Sequence, residues 1–195
     1  MPNQGKVQSV VFDNLFTPEY AVKPLVPYFE HLRVKFNKKN RFFTIWEPCG
    51  IPGGSAIIKV FDMAGYSYQM TIYPKFNFLR DKPWFEFDAI ITNPPYSSKN
   101  QILQKCYEYG KPFALLLPLS TLETPPRSEM FSKYGLQLLV FDERVGYTQE
   151  KNWQNTSWFC WKVLPKDLMF EKLIKDDEVL KRNFIDPRKN YNSAW

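Results

Sequence analysis

Histidine is nearly absent from the chain. His31 is the only one in 195 residues, and the three cysteines, Cys49, Cys106 and Cys160, stand far apart with no CxxC spacing. A zinc centre needs clustered nitrogen or sulfur ligands and a disulfide framework needs pairable cysteines, so neither is expected, and no metal is assigned. Apolar runs stay well short of the ~18 residues that a membrane-crossing helix requires, and no cleavable leader is recognisable. The expectation is a cytoplasmic protein without a membrane partner. Internal repeats and low-complexity tracts are also missing.

What is present is enough apolar matter for one core: 44% of residues are hydrophobic and 17% aromatic. One α/β domain over residues 1–195 is the expectation from this length. Many of the rings lie in short runs such as Trp84-Phe85-Glu86-Phe87 and Trp158-Phe159-Cys160-Trp161, which read mostly as core with a few rings able to stack on a base. The net charge of +6 and a pI of about 9.1 favour a polyanionic partner. Residues 1–41 hold seven basic side chains against three acidic ones. The stretch Arg33–Arg41, with Lys35, Lys38, Lys39 and Arg41, is therefore the expected phosphate-facing patch; a solvated loop that keeps the protein soluble is the competing reading.

Short apolar strands alternate with helical patterns. Arg41–Trp46 reads as a buried strand, Ala56–Ala64 as a helix ending at Gly65, Tyr68–Tyr73 as a second strand, and Asp88–Thr92 as a central one. A helix over Asn100–Tyr109 stops at Gly110, Phe113–Leu117 is another buried strand, and a helix around Glu129–Lys133 ends at Gly135. Leu136–Phe141 and Ser157–Val163 complete the strands, with residues 142–156 as a long loop between them. Such alternation predicts a mainly parallel sheet with helices on both faces.

In an open sheet of this kind ligands bind beyond the carboxyl ends of the strands. Two segments occupy such places. Glu47-Pro48-Cys49-Gly50-Ile51-Pro52-Gly53-Gly54 links a strand to a helix; its glycines let backbone approach a ligand, and the acid can accept bonds from an amino or hydroxyl group. The spacing is not GxGxxG, which argues against a nicotinamide dinucleotide fold. Asn93-Pro94-Pro95-Tyr96 follows the central strand. Its prolines fix the backbone, so the Asn93 side-chain oxygen and the Pro94 carbonyl can accept from one amino group while the Tyr96 ring stacks on the planar base. A ring-conjugated amine is a poor nucleophile, and two acceptors that favour a tetrahedral nitrogen would expose its lone pair to a methyl donor held in line.

With these residues in view, the sequence resembles the S-adenosylmethionine-dependent adenine amino-methyltransferases, particularly the small phage DNA adenine methylases, over about Phe16 to Val163. Their NPPY motif is matched in full by Asn93, Pro94, Pro95 and Tyr96, which the resemblance makes catalytic. Their glycine-loop motif is similar to Trp46–Gly54, and their N-terminal cofactor motif to Phe16-Thr17-Pro18 with Tyr20. The resemblance implies a Rossmann-like fold, S-adenosylmethionine as cofactor, and cofactor contacts from Thr17, Tyr20, Trp46, Glu47, Cys49, Gly50, Gly53, Asn77 and Asn93. It further implies methylation of adenine in DNA, in the host cytoplasm if the chain is phage-encoded. Residues 142–156, with Arg144 and Lys151, are the expected substrate-contacting loop. The sequence departs from the family pattern at Ile51 and Pro52, at Tyr73-Pro74 where a ribose-binding acid is usual, and at Asn77 where an acid usually faces the cofactor adenine. An RNA adenine methyltransferase and a catalytically degenerate nucleic-acid-binding homologue stay open on the sequence, as does the oligomeric state.

Overall fold

A computed structural model describes residues 17–36, 43–147 and 153–175. The chain enters through a short helix, α1 (Glu19–Val22), a 3-10 turn and α2 (Val26–Lys35), then reaches β1 (Thr44–Gly50). It continues through α3 (Ala56–Met63), β2 (Ser67–Ile72), β3 (Ala89–Thr92), α4 (Lys99–Tyr109), β4 (Phe113–Pro118) and α5 (Pro125–Tyr134). The last part comprises β5 (Gln137–Phe141), β6 (Val145–Gly146), β7 (Trp153–Gln154), β8 (Thr156–Trp161) and β9 (Leu168–Glu171). Seven strands form one sheet in the order β2-β1-β3-β4-β8-β5-β9, and β6 pairs with β7.

The mainly parallel sheet is as expected, with one reversed member. β8 pairs antiparallel with both β4 and β5, whereas the β1–β2, β1–β3, β3–β4 and β5–β9 pairs are parallel. β8 reverses because it returns from β5 by the short β6–β7 hairpin, and parallel pairing would need a long crossover. β9 is a strand the sequence pattern does not announce: its apolar run is only Leu168-Met169-Phe170, set between charged residues, and at the sheet edge Leu168 and Phe170 stay exposed.

Alternate residues of each strand feed two cores. Ile45, Ala89, Ile91, Ala114, Leu116, Trp158 and Cys160 pack with α1, α2 and α3 on one face. Trp46, Ile90, Leu115, Leu117 and Phe159 pack with α4 and the 73–88 connection on the other. Trp46 is fully buried at the centre of that second core, with the rings of Phe76, Phe78, Phe85, Phe87 and Tyr109 at 4.8–5.8 Å. Its indole Nε1 donates to Thr71 Oγ1 at 3.1 Å, which ties β1 to β2. Truncating a ring so placed typically costs ~3–5 kcal/mol. The helices obey their local signals. α3 starts at Ser55, whose Oγ accepts from the amides of Ile57 and Ile58, and α4 stops at Gly110 with φ of 67°.

Candidate active site

From β1 the chain goes through α3 to β2 on one side; from β3 it goes through α4 to β4 on the other. The order therefore reverses between β1 and β3, and the carboxyl ends of those two strands open the crevice where an α/β sheet takes its ligand. β1 delivers Glu47, Cys49 and Gly50 there; β3 delivers Thr92 and then Asn93-Pro94-Pro95-Tyr96.

Glu47 is 5% exposed, and its Oε2 has no hydrogen-bond partner among the described residues. Burial pushes its carboxyl up to about 7, partly countered by a hydrogen bond from the Ser55 side chain. Ser55 is thus shared between the acid and the first amides of α3. Beside it, burial drives the Cys49 thiol up to about 12, with Thr92 bonding to it and the Glu47 charge opposing ionisation. Cys49 stays a neutral thiol at neutral pH and is no nucleophile.

The turn after β3 is locked from its far side. The Pro95 carbonyl accepts from Ser98 N at 3.1 Å, and the Tyr96 carbonyl accepts from Lys99 Nζ at 3.1 Å. Asn93 Nδ2 donates to Thr17 Oγ1 at 3.1 Å, across 76 positions of sequence. That bond orients the amide so that its carbonyl oxygen faces away from Thr17.

The segment after β5 closes on the same place. Tyr20 OH donates to the Gly146 carbonyl at 3.2 Å and lies 2.9 Å from the Gly146 amide, fastening α1 to β6. Tyr147 is buried, with its hydroxyl 2.8 Å from Thr156 Oγ1; burial pushes it up to about 12 against hydrogen bonds from Thr156 and Tyr96. Tyr147 belongs to the 142–156 loop expected to contact substrate; what the sequence does not show is its approach to Tyr96, which follows from the pairing of β6 with β7.

Not every expected residue arrives in its expected role. The Trp46 side chain is committed to core packing, so a cofactor contact from it is left to its backbone. At Gly50 a Cβ would fall 2.4 Å from Met70 Cγ and 3.2 Å from the Thr71 carbonyl, so its missing side chain makes room for β2. Gly53 and Gly54 do have open space, and their φ values of 96° and 119° explain why the loop needs glycine. Asn77 Oδ1 accepts from Leu79 N at 3.0 Å, and the Asn77 backbone N–H donates to Asp81 Oδ2 at 2.7 Å; the residue builds a turn, and its side-chain oxygen is engaged there. No acid stands at the end of β2, where Tyr73 is exposed.

The basic patch is placed away from the crevice in its described part. Lys35 ends α2, and Phe36 packs on Phe43 just before β1, so this end of α2 lies at the amino ends of the strands. Arg33 is engaged by Glu30 and by the Tyr66 ring. Lys38, Lys39, Arg41 and Lys151 lie outside the described residues. Arg144 is exposed at the carboxyl edge, in the approach to β6.

The chain matches no protein-family profile and no curated protein. Among solved structures, it superposes on one from Listeria monocytogenes, assigned to the class I S-adenosylmethionine-dependent methyltransferases, with a TM-score of 0.52 at 12% identity, covering 94% of this chain and 74% of that one. The fold is the class I S-adenosylmethionine-dependent methyltransferase fold. Weaker similarity reaches a protein from Pyrococcus horikoshii assigned as an RNA methyltransferase, with a TM-score of 0.46 at 14% identity, over 82% of this chain and 91% of that one. In an open α/β sheet of this kind, the β1–β3 crevice is the place for a ligand. The residues present fit one: the unpartnered, buried Glu47 Oε2 calls for a donor such as the ligand's amino or hydroxyl group, and Gly53 and Gly54 keep the approach clear.

Proposed function

We propose that this chain methylates the exocyclic amino group of adenine in DNA, with S-adenosylmethionine as the methyl source. The observation that carries the reading is the Asn93 amide, bonded through Nδ2 to Thr17 at the head of the Pro94-Pro95-Tyr96 turn, at the end of the strand beside the one that carries the buried Glu47. The cofactor supplies a methyl group bound to a cationic sulfur. Glu47 would hold its donor group, and the Gly53–Gly54 bend would leave room along α3.

The residues after β3 do the remaining work. Tyr96 offers a ring on which the extruded base stacks, and Asn93 Oδ1 with the Pro94 carbonyl accepts the two amino hydrogens. As the nitrogen turns tetrahedral, Asn93 Oδ1 and the Pro94 carbonyl would hold its hydrogens aside and leave its lone pair facing the methyl group that the cofactor would supply. The alkylated nitrogen is then cationic and strongly acidic, and its extra proton passes to water. Thr17 keeps the amide oxygen aimed, so the acceptor is in place before charge develops.

The deciding experiment supplies labelled S-adenosylmethionine with duplex DNA, single-stranded DNA, RNA and a protein mixture in parallel, followed by hydrolysis to nucleosides. N6-methyladenine from DNA is expected. Label confined to RNA or to protein would replace the substrate assignment, and absence of transfer to all four would remove the enzymatic reading.

A further inference from the structure

The connection between β2 and β3 carries a surface that the proposed chemistry does not use. Tyr73 follows β2 directly at the carboxyl edge and is 71% exposed. The chain then turns back, with Phe76 N donating to the Ile72 carbonyl at 3.1 Å, which keeps Tyr73 and Lys75 beside Phe76. On Phe76 packs Trp84, its ring centroid 5.8 Å away, with Phe85 at 5.3 Å on another side.

Both of these contacts are T-shaped, and Trp84 remains 78% exposed. Tryptophan is buried on average more than most residues, so an indole fixed in orientation yet open over most of its surface calls for a partner. The same connection carries Lys75, Arg80 and Lys82, all exposed, against Glu86 as its exposed acid; Asp81 is half-buried and accepts from the Asn77 backbone N–H. Exposed rings interleaved with cations suit a strand whose bases are unstacked and whose phosphates pass close by. A duplex offers its bases edge-on within grooves and leaves no ring face for Trp84 or Tyr73 to cover.

We infer that Tyr73 and Trp84, with Lys75, Arg80 and Lys82, form a binding surface for a single-stranded segment of nucleic acid leading away from the β1–β3 crevice. This rests on the nucleic-acid reading of that crevice and adds the strandedness of what is held. It also moves the contact surface from the amino end of the sheet, where Lys35 lies, to a connection that begins at the carboxyl end.

The test is fluorescence anisotropy of a labelled single-stranded oligonucleotide of about a dozen nucleotides, with the duplex of the same sequence as a second arm. Trp84→Ala and Tyr73→Ala should each weaken single-strand binding about tenfold and leave the duplex nearly unaffected, whereas Trp84→Phe retains most of the affinity. Replacing Lys75, Arg80 and Lys82 together by Gln should flatten the single-strand salt slope by about two, at ~0.7 per phosphate. Wild-type affinity in a folded Trp84→Ala protein, or an equal loss for duplex and single strand, overturns the inference. S-adenosylmethionine calorimetry and methyl transfer on the same variants separate the two readings. Trp84-dependent binding without any methyl transfer leaves this surface standing and removes the enzyme, and methyl transfer indifferent to Trp84 does the reverse.

Discussion

Asn93 donates to Thr17 through Nδ2, which makes two substitutions informative. Asn93→Ala removes an acceptor that matters most as the attacking nitrogen becomes tetrahedral; turnover should fall about 100- to 1000-fold, or roughly 3–4 kcal/mol, with cofactor affinity nearly intact. Thr17→Val keeps the shape and deletes the oxygen, so a loss nearer tenfold is expected, because the amide is still present but less firmly aimed. Single-turnover methylation beside calorimetry reads both, and wild-type turnover in folded Asn93→Ala would sink the assigned chemistry. Glu47 supplies a pH test. Its carboxyl sits near 7 in the fold against an ordinary 4.5, so between those values the folded protein binds the extra proton and the unfolded chain does not. Stability from this group is therefore present at low pH and lost as pH rises towards 7, by about 3 kcal/mol at most. Glu47→Gln lacks that loss: thermal melts from about pH 5 to 8 should show the variant gaining on the wild type as pH rises, and parallel curves would refute the shift.

The carboxyl end of β1 is shaped by its neighbour as much as by any ligand. The β1–β2 register slips between Glu47 and Gly50, and Met70 fills the place of a Gly50 side chain. Gly50→Ala should therefore destabilise the protein by about 1–3 kcal/mol in denaturant titration, and shortening Met70 to Ala in the same chain should recover part of it. An unchanged midpoint in the single variant would mean that β2 yields without cost. At the start of α3, Ser55→Ala removes both the helix cap and the bond to Glu47; a loss of about 1 kcal/mol is expected from the cap, together with a further rise of the Glu47 carboxyl. Elements with strong local signals were legible in the sequence: the apolar runs of β1, β3 and β4, the glycine stop of α4, the turn of two prolines. β9 and the β6–β7 hairpin were not, since an edge strand and a two-residue pair bury too little to leave a pattern.

Across the whole molecule, the sheet separates charges that lie close in composition. Lys35 stands at the amino edge and Arg144 at the carboxyl edge, on the side of Asn93. For DNA bound at the crevice, Lys35→Ala should leave the slope of log K against log salt unchanged, whereas Arg144→Ala should lower it by up to about one. Affinity measured across a salt series checks both, and a slope that responds to Lys35 alone would place the substrate on the other edge. Arg127 acts at the same scale: buried in α5, it donates to the Ser120 and Thr121 carbonyls and to Asn100 Oδ1, joining the turn after β4 to the start of α4.

The sequence by itself determined the alternation of strands and helices, the two strand ends that carry chemistry, and the identity of the turn Asn93-Pro94-Pro95-Tyr96. These are local matters: periodicity, glycine and proline act within a few residues, and their signals survive without knowledge of partners. Only the tertiary structure decided that Thr17 steers Asn93, that Tyr147 reaches Tyr96, that Gly50 serves Met70, and that the described end of the basic patch lies on the far edge. Each of those depends on which strands become neighbours and in which direction they run, and that follows from how the two cores are buried together, which no segment specifies alone.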